Sequence, residues 1–200
     1  MKNKQNVRFL TQLALLVAIE LVLWQTPLGY LRIGALSVSF LTVPVAIGGM
    51  IMGPAAGAIL GGVFGVTSMI DTFMVPGMKL ILFQLNPFGW VMFVLVARIL
   101  CGLLCGVVFR ALNKALKGST AAYGVGAVSC PFFNTFFFMG FMMLFYFGSE
   151  YMQNMCATFQ VGNPITLILA MVGVQGVVEM VVCGIVATIV SKAVNHYLKK

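Results

Sequence analysis

Charged side chains are scarce in this 200-residue chain. Only 8% of its residues are Asp, Glu, Lys or Arg, whereas about a quarter are charged in an ordinary soluble domain. Hydrophobic residues make up 61% of the chain, and the mean hydropathy is +1.06. This composition excludes a soluble domain and predicts an all-α membrane protein, because a helix satisfies all its backbone hydrogen bonds within lipid.

The residues and motifs of the common enzyme classes are also missing. The one histidine, His196, lies in the C-terminal tail, so neither an H-E-x-x-H motif nor a His-based triad is available. No G-x-x-x-x-G-K-[ST] motif occurs, so the chain has no means of hydrolysing ATP. The five cysteines mostly lie in apolar segments and form no C-x-x-C, which predicts small core residues. We therefore expect no enzyme, no metal site and no cofactor.

The apolar segments predict six membrane-spanning helices and a single transmembrane substrate-binding domain over residues 1–200. The spans are predicted at about residues 8–26, 38–52, 55–70, 87–112, 121–147 and 164–194. The second span is short, and Pro44 predicts a break in it. Residues 71–86 and 148–163 are predicted to be long connections, of the kind that often form binding loops. The first apolar run lacks a signal-peptide cleavage site and is interpreted as a retained span.

Basic residues are concentrated on one predicted side of the membrane. Six spans place most of the twelve Lys and Arg residues on the side of both termini, and none of the four acidic residues. This positive-inside pattern predicts that both termini are cytoplasmic. It also explains the net charge of +8 without nucleic acid as a partner.

Several polar side chains are predicted to lie within the membrane, where a charged group is costly and indicates a functional site. The direction of each span predicts an outward-opening pocket, in which Arg98 would bind a carboxylate or phosphate. The predicted substrate-binding residues are Arg98, Asn86, Trp90, Asn134, Gln175 and Glu179. The alternative is a structural ion pair of Arg98 with Glu179 or Glu20 that holds helices together.

Glycines recur every fourth residue at Gly53, Gly57, Gly61 and Gly65, which places them on one helix face. Such a smooth face permits close approach of another helix. Two interpretations remain open at this stage: packing within the chain, or a surface for a partner membrane protein.

The chain resembles the S components, the substrate-binding subunits, of energy-coupling factor (ECF) vitamin transporters over nearly its whole length. The resemblance rests on Ala14-x-x-x-Ala18, LTVPVAIGGMIMGPAAGAILGGVFGVTS, NPFGW, ARILCGLLCGVVFRAL and the pair Asn134–Thr135. It implies a compact six-helix bundle in the bacterial plasma membrane, with an outward-opening pocket for a vitamin. It also implies partners: a transmembrane T component and two ABC ATPases.

The same resemblance assigns the small residues Ala14, Ala18, Gly53, Gly57, Gly61 and Gly65 to the interface with the T component. The pattern is most similar to the pantothenate branch, whose carboxylate would suit Arg98, while folate, pyridoxine and niacin stay open. A metal-transporting branch is disfavoured because the N-terminus lacks an early histidine.

Two other classes of protein remain as alternatives. One is a membrane subunit that only scaffolds its partners. The other is an autonomous ion- or proton-coupled carrier, with Glu20 or Glu179 as the protonatable group.

Overall fold

The computed structural model describes residues 2–27, 29–33, 36–117 and 119–198. Over these residues the chain forms helices joined by short connections, with one antiparallel hairpin. The elements are α1 (Lys2–Gln25), β1 (Tyr30–Ile33), β2 (Leu36–Ser39), α2 (Thr42–Ile51), α3 (Pro54–Met74), α4 (Met78–Leu85), α5 (Pro87–Val91), a π-helical turn (Met92–Val96), α6 (Ala97–Ala115), α7 (Thr120–Tyr146), α8 (Glu150–Phe159) and α9 (Pro164–Leu198).

Five helical segments are long and apolar enough to cross a membrane. They correspond to the first, third, fourth, fifth and sixth predicted spans. Their bounds are Asn6–Gln25, Pro54–Met74, Pro87–Ala115, Thr120–Tyr146 and Pro164–Val194.

The second predicted span is different from the other five. Its helix, α2, has 10 residues, which at 1.5 Å per residue gives about 15 Å, roughly half the hydrocarbon thickness of a bilayer. Residues 42–50 are all buried, so neighbouring helices surround α2. The predicted break at Pro44 is wrong, because Pro44 lies in the first turn, where its missing N–H has no intrahelical acceptor to lose. The β1–β2 hairpin before α2 was not predicted.

The two connections predicted as loops are largely helical. The chain from 71 to 86 continues α3 to Met74 and then forms α4, with Pro76 and Gly77 between the two helices. Residues 148–163 contain α8, which begins where the Ser149 hydroxyl accepts a hydrogen bond from the backbone N–H of Met152. Such side-chain capping stabilises a helix N-terminus that periodicity alone does not reveal.

The helix directions follow from contacts between neighbouring elements. Trp24, near the end of α1, donates a hydrogen bond from Nε1 to Oδ1 of Asp71, near the end of α3, at 2.7 Å. A Cβ on Gly48 of α2 would contact both Leu16 of α1 and Leu60 of α3. Leu16 and Leu60 therefore lie at the same height along the bundle, about two helical turns or more before Trp24 and Asp71. Helices α1 and α3 therefore run in the same direction, and the hairpin with α2 carries the chain back between them.

The glycine face of α3 packs against α6 within the chain. A Cβ on Gly57 would lie 2.9 Å from the backbone carbonyl carbon of Gly102, and one on Gly61 would lie 2.9 Å from that of Arg98. Gly53, Gly57, Gly61 and Gly65 are all buried, and Gly53 also has a φ of 101°, which favours glycine. Of the two interpretations, packing within the chain is the one that the structure supports, and it gives no support to a partner interface at these glycines. Ala14 and Ala18 of α1, in contrast, are exposed.

The cysteines belong to the interior, as predicted. All five are buried and unpaired, and Cys101 of α6 faces Cys130 of α7 with 3.5 Å between the sulfur atoms. Within the described residues, no group of three or more His, Cys, Asp or Glu side chains is placed to hold a metal ion.

Candidate functional site

A cavity of about 170 Å³ lies among α3, α4, α6, α7 and α9. Four of the six predicted binding residues line it: Arg98, Asn134, Gln175 and Glu179. Ser39, Lys79 and Thr135 add further polar groups, and the apolar part of the wall is formed by Phe64, Phe138, Met139 and Val172. The structure therefore brings together residues that lie up to 140 positions apart in sequence (Ser39 and Glu179).

Arg98 is held in place by the backbone just before it. The π-helical turn Met92–Val96 widens the helix there, and Nη1 of Arg98 donates to the carbonyl oxygens of Phe93 and Val94 at 3.1 and 2.7 Å. The guanidinium also lies over the rings of Phe64 and Phe138, 4.6 and 5.1 Å from their centroids. These contacts fix a buried positive charge at one wall of the cavity.

Lys79 provides a second positive charge that the sequence interpretation did not include. It extends from α4, and its Nζ donates a hydrogen bond to Oγ of Ser68 at 2.9 Å. Burial lowers the pKa of Lys79 to about 8; the nearby charge of Arg98 adds to this, while Asp71 acts in the opposite direction. The available signal was a single cation within the otherwise apolar stretch MVPGMKLILF.

Two acceptors in the cavity wall have no hydrogen-bond partner among the described residues. They are Oδ1 of Asn134 and Oε1 of Glu179, both buried. A buried acceptor without a partner costs about 1–3 kcal/mol, so a molecule that donates hydrogen bonds here would stabilise the site. Together with the two cations, they fit a small ligand that carries both an anionic group and hydrogen-bond donors.

Asn86 and Trp90 lie outside this cavity. The Asn86 side chain caps α5 by accepting from the backbone N–H of Gly89 at 3.1 Å, and the backbone carbonyl oxygen of Asn86 accepts from the Tyr146 hydroxyl. Trp90 is 3% exposed and packs edge-on against Phe73 and Phe83. The π-helical turn Met92–Val96 lies between Trp90 and Arg98, so the angle between their side chains is not that of a regular α-helix.

Glu20 is also separate from the cavity. It is fully buried in α1, and neither carboxylate oxygen has a hydrogen-bond partner in the part of the chain that the structure describes. Of the two acidic residues considered as ion-pair partners of Arg98, only Glu179 shares its cavity.

The long apolar helices point to an integral membrane protein, and a cavity with both charged and apolar lining lies among them. The chain matches the family model described as ECF transporter, substrate-specific component, over residues 8–191, and it belongs to this family. The resemblance inferred from the sequence is thus confirmed, and the chain is a transport subunit rather than a catalytic enzyme. Among curated proteins, none matches the chain.

Proposed function

We propose that this chain binds a water-soluble vitamin with high affinity and is the S component of an ECF-type ABC transporter in the bacterial plasma membrane. The carrying observation is that Arg98 and Lys79 line one cavity together with Asn134 and Glu179, whose Oδ1 and Oε1 atoms have no hydrogen-bond partner among the described residues. Family membership supports transport as the role of that site.

Pantothenate is the vitamin we propose as the ligand. Its carboxylate would pair with Arg98 and Lys79, and its hydroxyl and amide groups would donate to Asn134 and Glu179. A carboxylate alone would leave those two acceptors without a partner. The mixed wall of two cations, one acidic side chain and two amides therefore favours a ligand with donors over a simple anion.

The proposed topology has six crossings, with the β1–β2 hairpin and α2 together forming the second. The parallel directions of α1 and α3 support this topology, because the chain must return between them. Both termini then lie on the cytoplasmic side, as the basic residues predict. The cavity is near α4, which follows the far end of α3, so it would open toward the outside.

The proposed partners are a transmembrane T component and two ABC ATPases that hydrolyse ATP for the transporter. Helix α1 is the least buried of the five long helices and exposes Ala14 and Ala18. An apolar groove of about 340 Å³ runs between α1, α2 and α9 beside it. These features make α1 the surface that we assign to the T component, in place of the buried glycines of α3.

The ligand assignment is tested by calorimetric titration of the purified protein in nanodiscs with pantothenate, folate, pyridoxine and niacin. We expect pantothenate to bind, and Glu179→Gln to weaken binding by about 10- to 100-fold, because a hydrogen bond to a charged group contributes about 1.5–3 kcal/mol. Glu150→Gln is the matched control, since Glu150 is exposed at the start of α8. Equal affinities of the two variants would contradict the proposed site.

The burial of Glu20 favours a second function, proton-coupled transport by the chain alone. A fully buried, unpartnered carboxylate is the kind of group that such carriers protonate. Uptake into proteoliposomes containing only this chain and a proton gradient distinguishes the two functions. We expect no uptake without the ATPases, and gradient-driven uptake lost in Glu20→Gln would favour the carrier.

A further inference from the structure

Asp71, near the end of α3, interacts with groups on two other helices. Its Oδ1 atom accepts the hydrogen bond from Nε1 of Trp24 of α1 at 2.7 Å. Ser68, three positions earlier on α3, accepts from Nζ of Lys79 of α4 at 2.9 Å. Residues three positions apart are neighbours on a helix surface. The Asp71 carboxylate therefore lies close both to an indole of α1 and to the ammonium group of α4.

The charge of Asp71 acts on Lys79. Burial and the nearby charge of Arg98 lower the pKa of Lys79, and the charge of Asp71 raises it. Lys79 lines the polar cavity, where the other charged lining residues among those described are Arg98 of α6 and Glu179 of α9. Asp71 is not part of that lining, so it favours the cationic form of Lys79 from behind the cavity wall.

The same carboxylate also holds the end of α1. Trp24 is partly buried and packs against the core, whereas α1 is the least buried of the five long helices. A hydrogen bond to a charged acceptor contributes about 1.5–3 kcal/mol, which is substantial for a helix with so few buried residues. Neighbouring polar groups polarise one another in a low-dielectric interior, so the strength of this bond depends on the other charges near Asp71.

We infer that Asp71 couples the cavity to α1: it favours the cationic Lys79 that an anionic ligand needs, and it transmits a change of charge at Lys79 to the hydrogen bond with Trp24. A bound anion, or loss of the Lys79 proton, offsets the positive field at Asp71, so the carboxylate becomes a stronger acceptor for the indole N–H. This inference rests on the proposed function, since α1 is the surface that we assign to the T component. Asp71 is thus a positioning residue that acts through Lys79 and does not contact the ligand.

The test is ¹⁹F NMR of the full chain labelled with 5-fluorotryptophan in detergent micelles. The chain has two tryptophans, and the Trp24 resonance is assigned by the signal that Trp24→Phe or Trp90→Phe removes. Without ligand, we expect the chemical shift of Trp24 to change between pH 7 and pH 9 with a midpoint near 8, where Lys79 loses its proton. Saturating pantothenate at pH 7 should move the same resonance in the same direction.

Asp71→Asn separates the charge of Asp71 from its hydrogen bond. The amide oxygen can still accept from Trp24, but it carries no charge, so the pH response of Trp24 should disappear. Affinity for pantothenate should also fall at a lower pH than in the native protein, because the pKa of Lys79 is no longer raised. Lys79→Met should abolish the pH response as well. Glu150→Gln is the control, since it removes a negative charge at the exposed start of α8 and should change neither measurement.

The opposite results overturn the inference in separate ways. A Trp24 resonance that does not depend on pH in the native protein excludes the link between Lys79 and α1. A response that persists in Asp71→Asn overturns the link too, because Asp71 then only holds α1 through its hydrogen bond. If pantothenate binds without moving the Trp24 resonance, the coupling to the ligand is excluded and the proposed function stands. If the pH response is as expected but pantothenate does not bind, the proposed ligand is wrong and the link between Lys79 and α1 stands.

Discussion

Replacing Gly57 with alanine tests the close packing of α3 against α6. The new Cβ would lie 2.9 Å from the carbonyl carbon of Gly102 and 3.0 Å from Cα of Gly49, and it would overlap the Gly102 oxygen. All three atoms belong to backbone, so no side chain can rotate away and the helices must separate. Overpacking of this kind typically costs about 1–3 kcal/mol, occasionally more.

Gly62→Ala is the matched control on the same helix. Its Cβ would lie 3.8 Å from Cγ1 of Ile99, an ordinary van der Waals contact. Alanine is favoured over glycine in a helix interior by about 1 kcal/mol. We therefore expect Gly62→Ala to be neutral or slightly stabilising, and Gly57→Ala to be destabilising despite the same gain in helix propensity.

Thermal unfolding of the isolated protein in detergent measures the difference. For a chain of this length, 1 kcal/mol corresponds to about 2–4 °C in Tm. Gly57→Ala should lower Tm by about 2–12 °C relative to Gly62→Ala. Ligand affinity should fall as well, because the same interface between α3 and α6 packs the backbone of Arg98 against Gly61. Equal Tm values would show that the glycine face is not an internal packing surface and would restore its assignment to a partner.

Three further predictions concern the cavity, the partner surface and the outer helices. Affinity for an anionic ligand should fall as pH rises through about 8, where Lys79 loses its proton, and titrations of Lys79→Met across this range should be flat. Ala18→Trp should abolish uptake by the assembled transporter while changing the Kd of the isolated chain by less than about twofold, because Ala18 is exposed and does not line the cavity. Tyr146→Phe should lower the free energy of unfolding by about 1 kcal/mol in a detergent-based unfolding assay, since it removes the hydrogen bond to the Asn86 carbonyl.

The long apolar segments made most of the helices predictable. Hydropathy identifies a segment such as Thr120–Tyr146 because its composition alone decides its environment. It fails for α2, because residues 42–50 of this ten-residue helix are buried among other helices. The β1–β2 hairpin before α2 has no hydropathy signal of its own. The pairing of its two strands depends on how the helices before and after it position the strand ends.

The charged part of the cavity was also predictable, because ionisable groups within the membrane are few. Arg98 and Glu179 were chosen on that ground, and both line the cavity. Trp90 was chosen by its depth along the span, but depth does not specify which side of a helix faces inward, and the π-helical turn shifts the register between Trp90 and Arg98. Lys79 was missed because the segment that carries it was treated as a loop, although it forms α4.

The glycine pattern of α3 could be interpreted only in part from the sequence. Spacing at every fourth residue predicts correctly that another backbone approaches α3, but it does not say whose backbone it is. The answer depends on Gly102 and Gly106 of α6, which supply a complementary surface in the same chain. In contrast, Ala14 and Ala18 of α1 are exposed.

Protection of an introduced cysteine tests most directly whether the cavity is the ligand site. Thr135 lines the cavity, and the five native cysteines are buried, so Thr135→Cys provides a specific site for a small, membrane-impermeant thiol reagent added from outside. The reaction rate is measured in right-side-out vesicles with and without saturating pantothenate and the other vitamins of the panel. We predict that Thr135→Cys reacts and that the bound vitamin slows the reaction by at least about tenfold. An unchanged rate in the presence of a vitamin that the protein binds would place the ligand elsewhere and contradict the proposed site.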